Sequence, residues 1–424
     1  MFMLAQKSEL TGAVDVPGSK SHTIRGVYFA ALAGGTSTLE KPLDSLDTRA
    51  AVDVCRAFGA DIEPGDAWTV RGLGGVPGVP DDVVDVKNSG TTLNIGLSVA
   101  ALADGHTVFT GDDQIRRRPA QPLLEALSEL GAEAFSTRGN GCPPFVVGGT
   151  LAGGQCSVRA ASSQYLTSLL VGAPLAAADT EIEVIELNEA PYVRMTLDWL
   201  DRLGIRCEHD ESLTRLRVPG GQSYPAFTRA IPADFSSATF FLAAGAVTGG
   251  PVTLRGLDLA DTQGDKAVVD MLREMGARIE ESDAGLVVSA DRLEGAELDL
   301  NATPDALPAL AVVACFAEGE TRLANVPQAR IKETDRLAVM RQELVKMAGR
   351  VTELEDGLVI RGAPLTGAEV NGHGDHRVVM ALAVAGLAAG GTTRIATAES
   401  AAVTFPHFVE LMQSLGARLE TADD

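Results

Sequence analysis

The residues best suited to chemistry lie in short polar stretches, each followed by an apolar run. Lys20, Ser21 and Arg25 follow Pro17-Gly18-Ser19 and precede residues 26–33, which carry no charge. Pro and Gly end a strand, Ser19 is a good N-cap, and the unpaired amides and dipole of a helix start favour an anion. The stretch therefore reads as a phosphate or carboxylate site at the open end of a buried helix. Asn88-Ser89-Gly90-Thr91 is a turn whose amides can form an anion nest. Arg116-Arg117-Arg118-Pro119 is the one dense cationic cluster, and Ser162-Ser163-Gln164 offers two hydroxyls and an amide. Lys332-Glu333-Thr334-Asp335-Arg336 opens a helix in which Lys332 and Arg336 share a face, setting Glu333 between two cations. That carboxylate is either an ion-pair partner or a proton-transfer group. Asp375-His376-Arg377 caps the last apolar helix. Taken singly, each stretch has a plainer reading as a solvated helix start, a capped turn or a solvated charge run. His373 and His376 have no third ligand placed beside them in sequence, so no metal is expected.

The elements that must hold these residues repeat. Apolar helices open at Ser19, Asn88, Ser162, Asp234, Thr303 and Asp375, and amphipathic helices close at Gly59, Gly131, Gly204, Gly276, Gly349 and Gly416. Both series advance by about 70 residues, which six linked copies make an internal repeat. Glycine after a last turn is the expected left-handed cap. Short β-type runs lie between the helices at residues 68–70, 83–86, 107–110, 145–147, 156–159, 182–185, 252–254, 286–288, 358–360 and 393–395. Each repeat is thus an α/β, βαβ-like unit with two helices and three or four strands, the apolar helices on the buried side. Six units exceed one ordinary core, so the division is three and three, in two similar domains. The expected boundaries are residues 15–230 for one domain, and 1–14 with 231–424 for the other, because the chain must close on itself. Helix starts from both domains would then face a shared cleft, suited to substrates bearing several negative charges.

Bulk properties limit the alternatives. The chain has 424 residues, 45% of them apolar and 22% charged, which suits a globular protein of two or more domains. A formal net charge of −22 argues against a nucleic-acid binder. Five cysteines without C-x-x-C spacing suggest neither a disulfide frame nor a zinc site, and imply reduced thiols in the cytoplasm. Residues 1–10 have no apolar signal-type run, and no apolar run reaches the roughly 18 residues of a membrane span.

Pro17-Gly18-Ser19-Lys20-Ser21 with Arg25, Asn88 to Thr91, Arg117-Arg118-Pro119 with Pro122, Ser162 to Gln164, Pro304-Asp305, Lys332 to Leu337, Asp375 to Arg377 and Thr404-Phe405-Pro406 occur in one order over the whole chain. Together they resemble the 5-enolpyruvylshikimate-3-phosphate synthase family. The resemblance implies two domains, each of three such units with buried parallel helices in an inside-out α/β barrel arrangement, and an active site in the interdomain cleft. It implies transfer of the enolpyruvyl group of phosphoenolpyruvate to the 5-hydroxyl of shikimate 3-phosphate, with no metal or organic cofactor, in a cytoplasmic monomer. By analogy Lys20, Ser21, Arg25, Ser162, Ser163, Gln164, Tyr192, Asp305, Gln328 and Lys332 hold shikimate 3-phosphate. Lys20, Asn88, Gly90, Thr91, Arg118, Gln164, Arg336, His376 and Arg377 hold phosphoenolpyruvate, while Asp305, Glu333 and Lys20 are catalytic.

Four departures stand out. Glu189 replaces a Ser common before the Pro-Tyr pair, Val403 replaces a Lys, Gln328 stands where Asn is common, and Asn94-Ile95 replaces an Arg-Pro pair. A carboxylate beside a phosphate would repel it, so Glu189 either turns away or marks an altered substrate. Gly90 is retained, which implies some sensitivity to glyphosate. The related transferase acting on UDP-N-acetylglucosamine carries a Cys in a Gly-rich loop, whereas residues 111–116 contain no thiol. A repeat-built binding protein that keeps the fold without catalysis is the rival from another class.

Overall fold

The computed structural model describes residues 1–423. Two compact units divide the chain: Gly18–Ile231, and Met1–Pro17 together with everything from Pro232 onward. The described residues form six four-stranded sheets, three in each unit, all built on one plan. The plan is seen without interruption in residues 84–148. The short strand Val84–Asp85 leads into the helix Gly90–Ala100 and then the strand His106–Thr110, which lies parallel to the first with Val84 opposite Phe109. A second helix, Gln121–Glu129, precedes the hairpin Glu133–Ser136 and Phe145–Gly148. The last strand inserts beside His106–Thr110 and the third takes the outer edge, both antiparallel. A parallel pair needs a crossover, whereas an antiparallel pair can be closed by a tight turn; each sheet holds one parallel pair and two antiparallel ones.

Three repeats are completed from distant sequence. Thr228–Ala230 supplies the parallel partner of Thr36–Glu40 in the unit Gly18–Ile231. In the other unit, Gly12–Asp15 pairs parallel with Val252–Arg255, and Phe2–Gln6 lies between Thr392–Ala396 and Arg418–Ala422. Nine of the ten β-type runs expected from sequence fall within strands, and of the run 83–86 only Val84–Asp85 is a strand.

The apolar helices are buried on nearly every face. In Lys20–Leu32 every residue from His22 to Leu32 is buried, and Phe235–Thr248, Leu307–Phe316 and His376–Ala388 pack against one another in the same uncharged manner. Each large apolar side chain removed from water contributes about 1.5–3 kcal/mol, which explains why charge is confined to the helix ends. In the unit Gly18–Ile231 the core includes Trp199 stacked on Phe29 at 5.6 Å between centroids. Phe240, Phe241, Phe405 and Phe408 form the aromatic cluster of the other unit.

Capping follows expectation at most repeats. Ser19, Ser89, Ser162, Asp234 and Asp375 each accept a backbone N–H of the helix that they precede. Gly59, Gly131, Gly204, Gly276 and Gly416 adopt left-handed backbone, but in the fifth repeat Ala348 takes that conformation (φ 67°) instead of Gly349. The buried helix expected at Thr303 opens as a 3₁₀ turn, Pro304–Ala306, and becomes α-helical at Leu307. No helix among the described residues is long and apolar enough to cross a membrane.

Candidate active site

In the unit Gly18–Ile231 the functional side chains gather at three buried-helix starts. Lys20 pairs with the nearly buried Asp47 at 3.2 Å. Arg25, 2% exposed, donates from Nε to Thr196 Oγ1 (2.9 Å), from Nη1 to the Ser21 carbonyl (3.1 Å), and from Nη2 to Thr167 Oγ1 (3.2 Å) and the Tyr192 carbonyl (3.0 Å). These acceptors are all neutral oxygens, and burial pulls the guanidinium pKa down to about 10, with Tyr192 acting in the opposite sense. An anion here would relieve that penalty.

At the second start Arg118 lies against Gly90: a Cβ on Gly90 would come within 2.9 Å of Arg118 Nη1. Arg118 Nη2 is 3.4 Å from Asn88 Oδ1, and the Asn88 amide donates to Asp112 Oδ2 (2.5 Å) and Gln114 Oε1 (2.7 Å). Arg116 is tied instead to Asp113 and the Gly111 carbonyl, so the arginine run does not act as one cluster. At the third start Ser162 caps Gln164, whose Nε2 donates to Thr91 Oγ1 (3.2 Å) and whose Oε1 accepts from Asn94 (2.7 Å). Glu189, 2% exposed, turns onto Ser163 and accepts from its N–H (3.2 Å) and its hydroxyl (2.7 Å).

The other unit builds its set around Arg336, 1% exposed. Its Nε and Nη2 engage Asp375 at 2.8 and 3.2 Å, Nη1 reaches Asp305 at 2.7 Å, and Nη2 reaches Glu333 at 2.6 Å. Arg377 Nη2 contacts the second Asp305 oxygen at 2.9 Å. Burial opposes the charge on Asp375, yet the guanidinium beside it holds its carboxyl below the usual range. Burial likewise opposes the charge on Arg336, and the three carboxylates more than offset it. Gln328 is buried and donates to the Asn301 carbonyl at 3.0 Å, and His376 is buried at the last helix start.

One local expectation needs correction. Lys332 and Arg336 do not share a helix face, because the helix is Arg336–Lys346 and Lys332 follows the 3₁₀ segment Pro327–Ile331. Asp335, in extended conformation, caps the Ala338 N–H and delays the helix, so Glu333 meets Arg336 from outside it. Three partners escaped sequence reasoning. Asp47 carries no local signal of its pairing with Lys20, Asp375 was visible only as a cap, and Asn94 only as an unusual residue after the Gly90 turn.

A family model described as EPSP synthase (3-phosphoshikimate 1-carboxyvinyltransferase) matches residues 4–412. A protein of Ruminiclostridium cellulolyticum named 3-phosphoshikimate 1-carboxyvinyltransferase is 52% identical over 421 residues, covering 99% of this chain and all of the relative. One of the same name from Acetivibrio thermocellus is 53% identical over 424 residues, with both chains covered completely. Among solved structures, an EPSP synthase from Acinetobacter baumannii superposes with a TM-score of 0.83 at 28% identity, covering 100% of both chains. The chain belongs to the EPSP synthase (3-phosphoshikimate 1-carboxyvinyltransferase) family.

Proposed function

We propose that this chain transfers the enolpyruvyl group of phosphoenolpyruvate to the 5-hydroxyl of shikimate 3-phosphate and releases phosphate, a step of the shikimate pathway toward aromatic amino acids. The observation that carries the residue assignment is the recurrence of buried guanidinium groups at helix starts, with the carboxylates of Asp305 and Glu333 bonded to one of them. Phosphoenolpyruvate bears a phosphate and a carboxylate, and planar guanidinium forks match both. Lys20, Arg118, Arg336 and Arg377, with Asn88, Gly90, Thr91, Gln164 and His376, bind it in this reading. Lys20, Ser21, Arg25, Ser162, Ser163, Gln164, Tyr192, Asp305, Gln328 and Lys332 bind shikimate 3-phosphate.

Addition places a proton on the methylene carbon while the 5-hydroxyl oxygen attacks the adjacent carbon and loses its own proton. Elimination removes a proton from the new methyl group as phosphate leaves. Asp305 and Glu333 move these protons, each contributing about 10²–10⁴-fold as a positioned acid or base. Lys20 offsets the charge that develops on the oxygens in transfer. Arg336 orients both carboxylates and must loosen its hold on them as the anionic substrate arrives.

Phosphate release is to be measured with phosphoenolpyruvate and either shikimate 3-phosphate or UDP-N-acetylglucosamine as acceptor. Turnover with the first acceptor alone is expected; turnover with the second alone, or binding of shikimate 3-phosphate without turnover, overturns the reading. Glu333→Gln is expected to lower kcat by at least about 10²-fold, and wild-type turnover would remove Glu333 from its assigned role.

A further inference from the structure

Asn94 lies one turn into the helix Gly90–Ala100 and is 7% exposed. Its Nδ2 donates to the Gly90 carbonyl (3.0 Å) and to Gln164 Oε1 (2.7 Å), while its buried Oδ1 has no hydrogen-bond partner among the described residues. Both donors of this amide are used and its acceptor is not. The reason is polarity: a backbone carbonyl only accepts, so a rotated Asn94 would set Oδ1 against the Gly90 oxygen. The main chain thus decides which end of Asn94 faces Gln164.

That choice is passed on. Gln164 must turn Oε1 toward Asn94, which sends Nε2 toward Thr91 Oγ1 at 3.2 Å. One N–H of Nε2 goes to Thr91 and the second remains for a further acceptor. The end of the amide that comes near this helix start is the oxygen: a Cβ built on Gly90 would meet Arg118 Nη1 at 2.9 Å and Gln164 Oε1 at 3.6 Å. Nε2, turned the other way onto Thr91, keeps its spare N–H for an anion, which an amide oxygen in its place would repel.

We propose that Asn94 is a positioning residue that fixes the orientation of the Gln164 amide, so that the spare N–H of Nε2 is the group offered to the anionic substrate. This rests on the reading that Gln164 and Arg118 contact phosphoenolpyruvate. Asn94 takes its own polarity from the Gly90 carbonyl, so a short relay runs from main chain to ligand: Gly90 C=O, Asn94 amide, Gln164 amide, anion. Without Asn94 the Gln164 amide is free to rotate, and its oxygen can replace Nε2 as the group offered to the anion.

The test is a double-mutant cycle on the full chain, with KM for phosphoenolpyruvate and kcat measured for Asn94→Ala, Gln164→Ala and the double variant. Asn94→Ala is expected to raise that KM roughly 5- to 20-fold, the scale of one misdirected hydrogen bond, with kcat changed less than about twofold. In the Gln164→Ala background the same substitution should have no further effect, since the residue that it orients is gone. Asn94→Ser, which can still donate to the Gly90 carbonyl but cannot also reach Gln164, should reproduce the KM rise and serves if the alanine variant folds poorly. An undiminished Asn94 effect in the Gln164→Ala background overturns the inference. So does a wild-type KM in both Asn94 variants while Gln164→Ala is impaired. If Gln164→Ala itself behaves as wild type, the placement of Gln164 at the ligand fails, and the inference with it.

Discussion

Replacing Arg336 by Met tests the charge balance of the unit from Pro232 onward. The methionine has similar length and no charge, so it removes the bonds to Asp375, Asp305 and Glu333 while filling most of the space. Asp375 is fully buried, and stranding one partner of a buried pair costs about 3–5 kcal/mol. For a unit of about 200 residues that corresponds to a fall in Tm of about 6–20 °C. The pH dependence gives a sharper criterion. In the wild type the Asp375 pKa is depressed, because Arg336 outweighs burial. Its contribution is therefore present above the unfolded-state value of about 3.9 and lost as pH falls through the folded one. In the variant, burial and Glu333 remain and raise the Asp375 pKa above the unfolded value. Stability is then retained at low pH and lost as pH rises. The gap between wild type and variant should consequently be largest near pH 7 and narrow toward about pH 5. Calorimetric melts at both pH values decide the matter: a gap below about 1 kcal/mol, or one that does not change with pH, refutes the assignment of Arg336 as counter-charge to a buried aspartate.

Gly90→Ala brings a Cβ to 2.9 Å from the tip of a flexible arginine, so Arg118 gives way and the fold does not. Stability should change by less than about 1 kcal/mol, while KM for phosphoenolpyruvate rises several-fold in steady-state assays. Glu189→Gln keeps an acceptor for the Ser163 N–H and hydroxyl but removes the charge; titration calorimetry should show tighter binding of shikimate 3-phosphate. Arg25→Lys loses the fork that reaches Thr196, Thr167 and Tyr192, and should weaken shikimate 3-phosphate binding by about 10- to 100-fold, the scale of charge-assisted hydrogen bonds.

What the linear chain determined were features set by neighbours within a few residues. Ser19, Ser89, Ser162 and Asp375 announce helix starts because their side chains reach amides two or three residues ahead. The uncharged run after Arg25 announces burial, and the sixfold spacing announces six copies of one repeat. Even here local competition shifted details: Asp335 caps later than the motif suggests, and Ala348 instead of Gly349 turns left-handed. The tertiary structure decided what no window of sequence contains. Thr228–Ala230 joins Thr36–Glu40, and Phe2–Gln6 joins the last sheet, because strand pairing is satisfied by any well-placed edge, however remote in sequence. The partners of the charged groups were settled in the same way. Arg336 draws Asp305 and Asp375 from segments more than 30 residues away, Glu189 turns onto Ser163, and Asn94 orients Gln164 from 70 residues away. A buried charge or amide must find its complement wherever the fold brings one within about 3 Å, and that complement is a property of the packed chain rather than of its order.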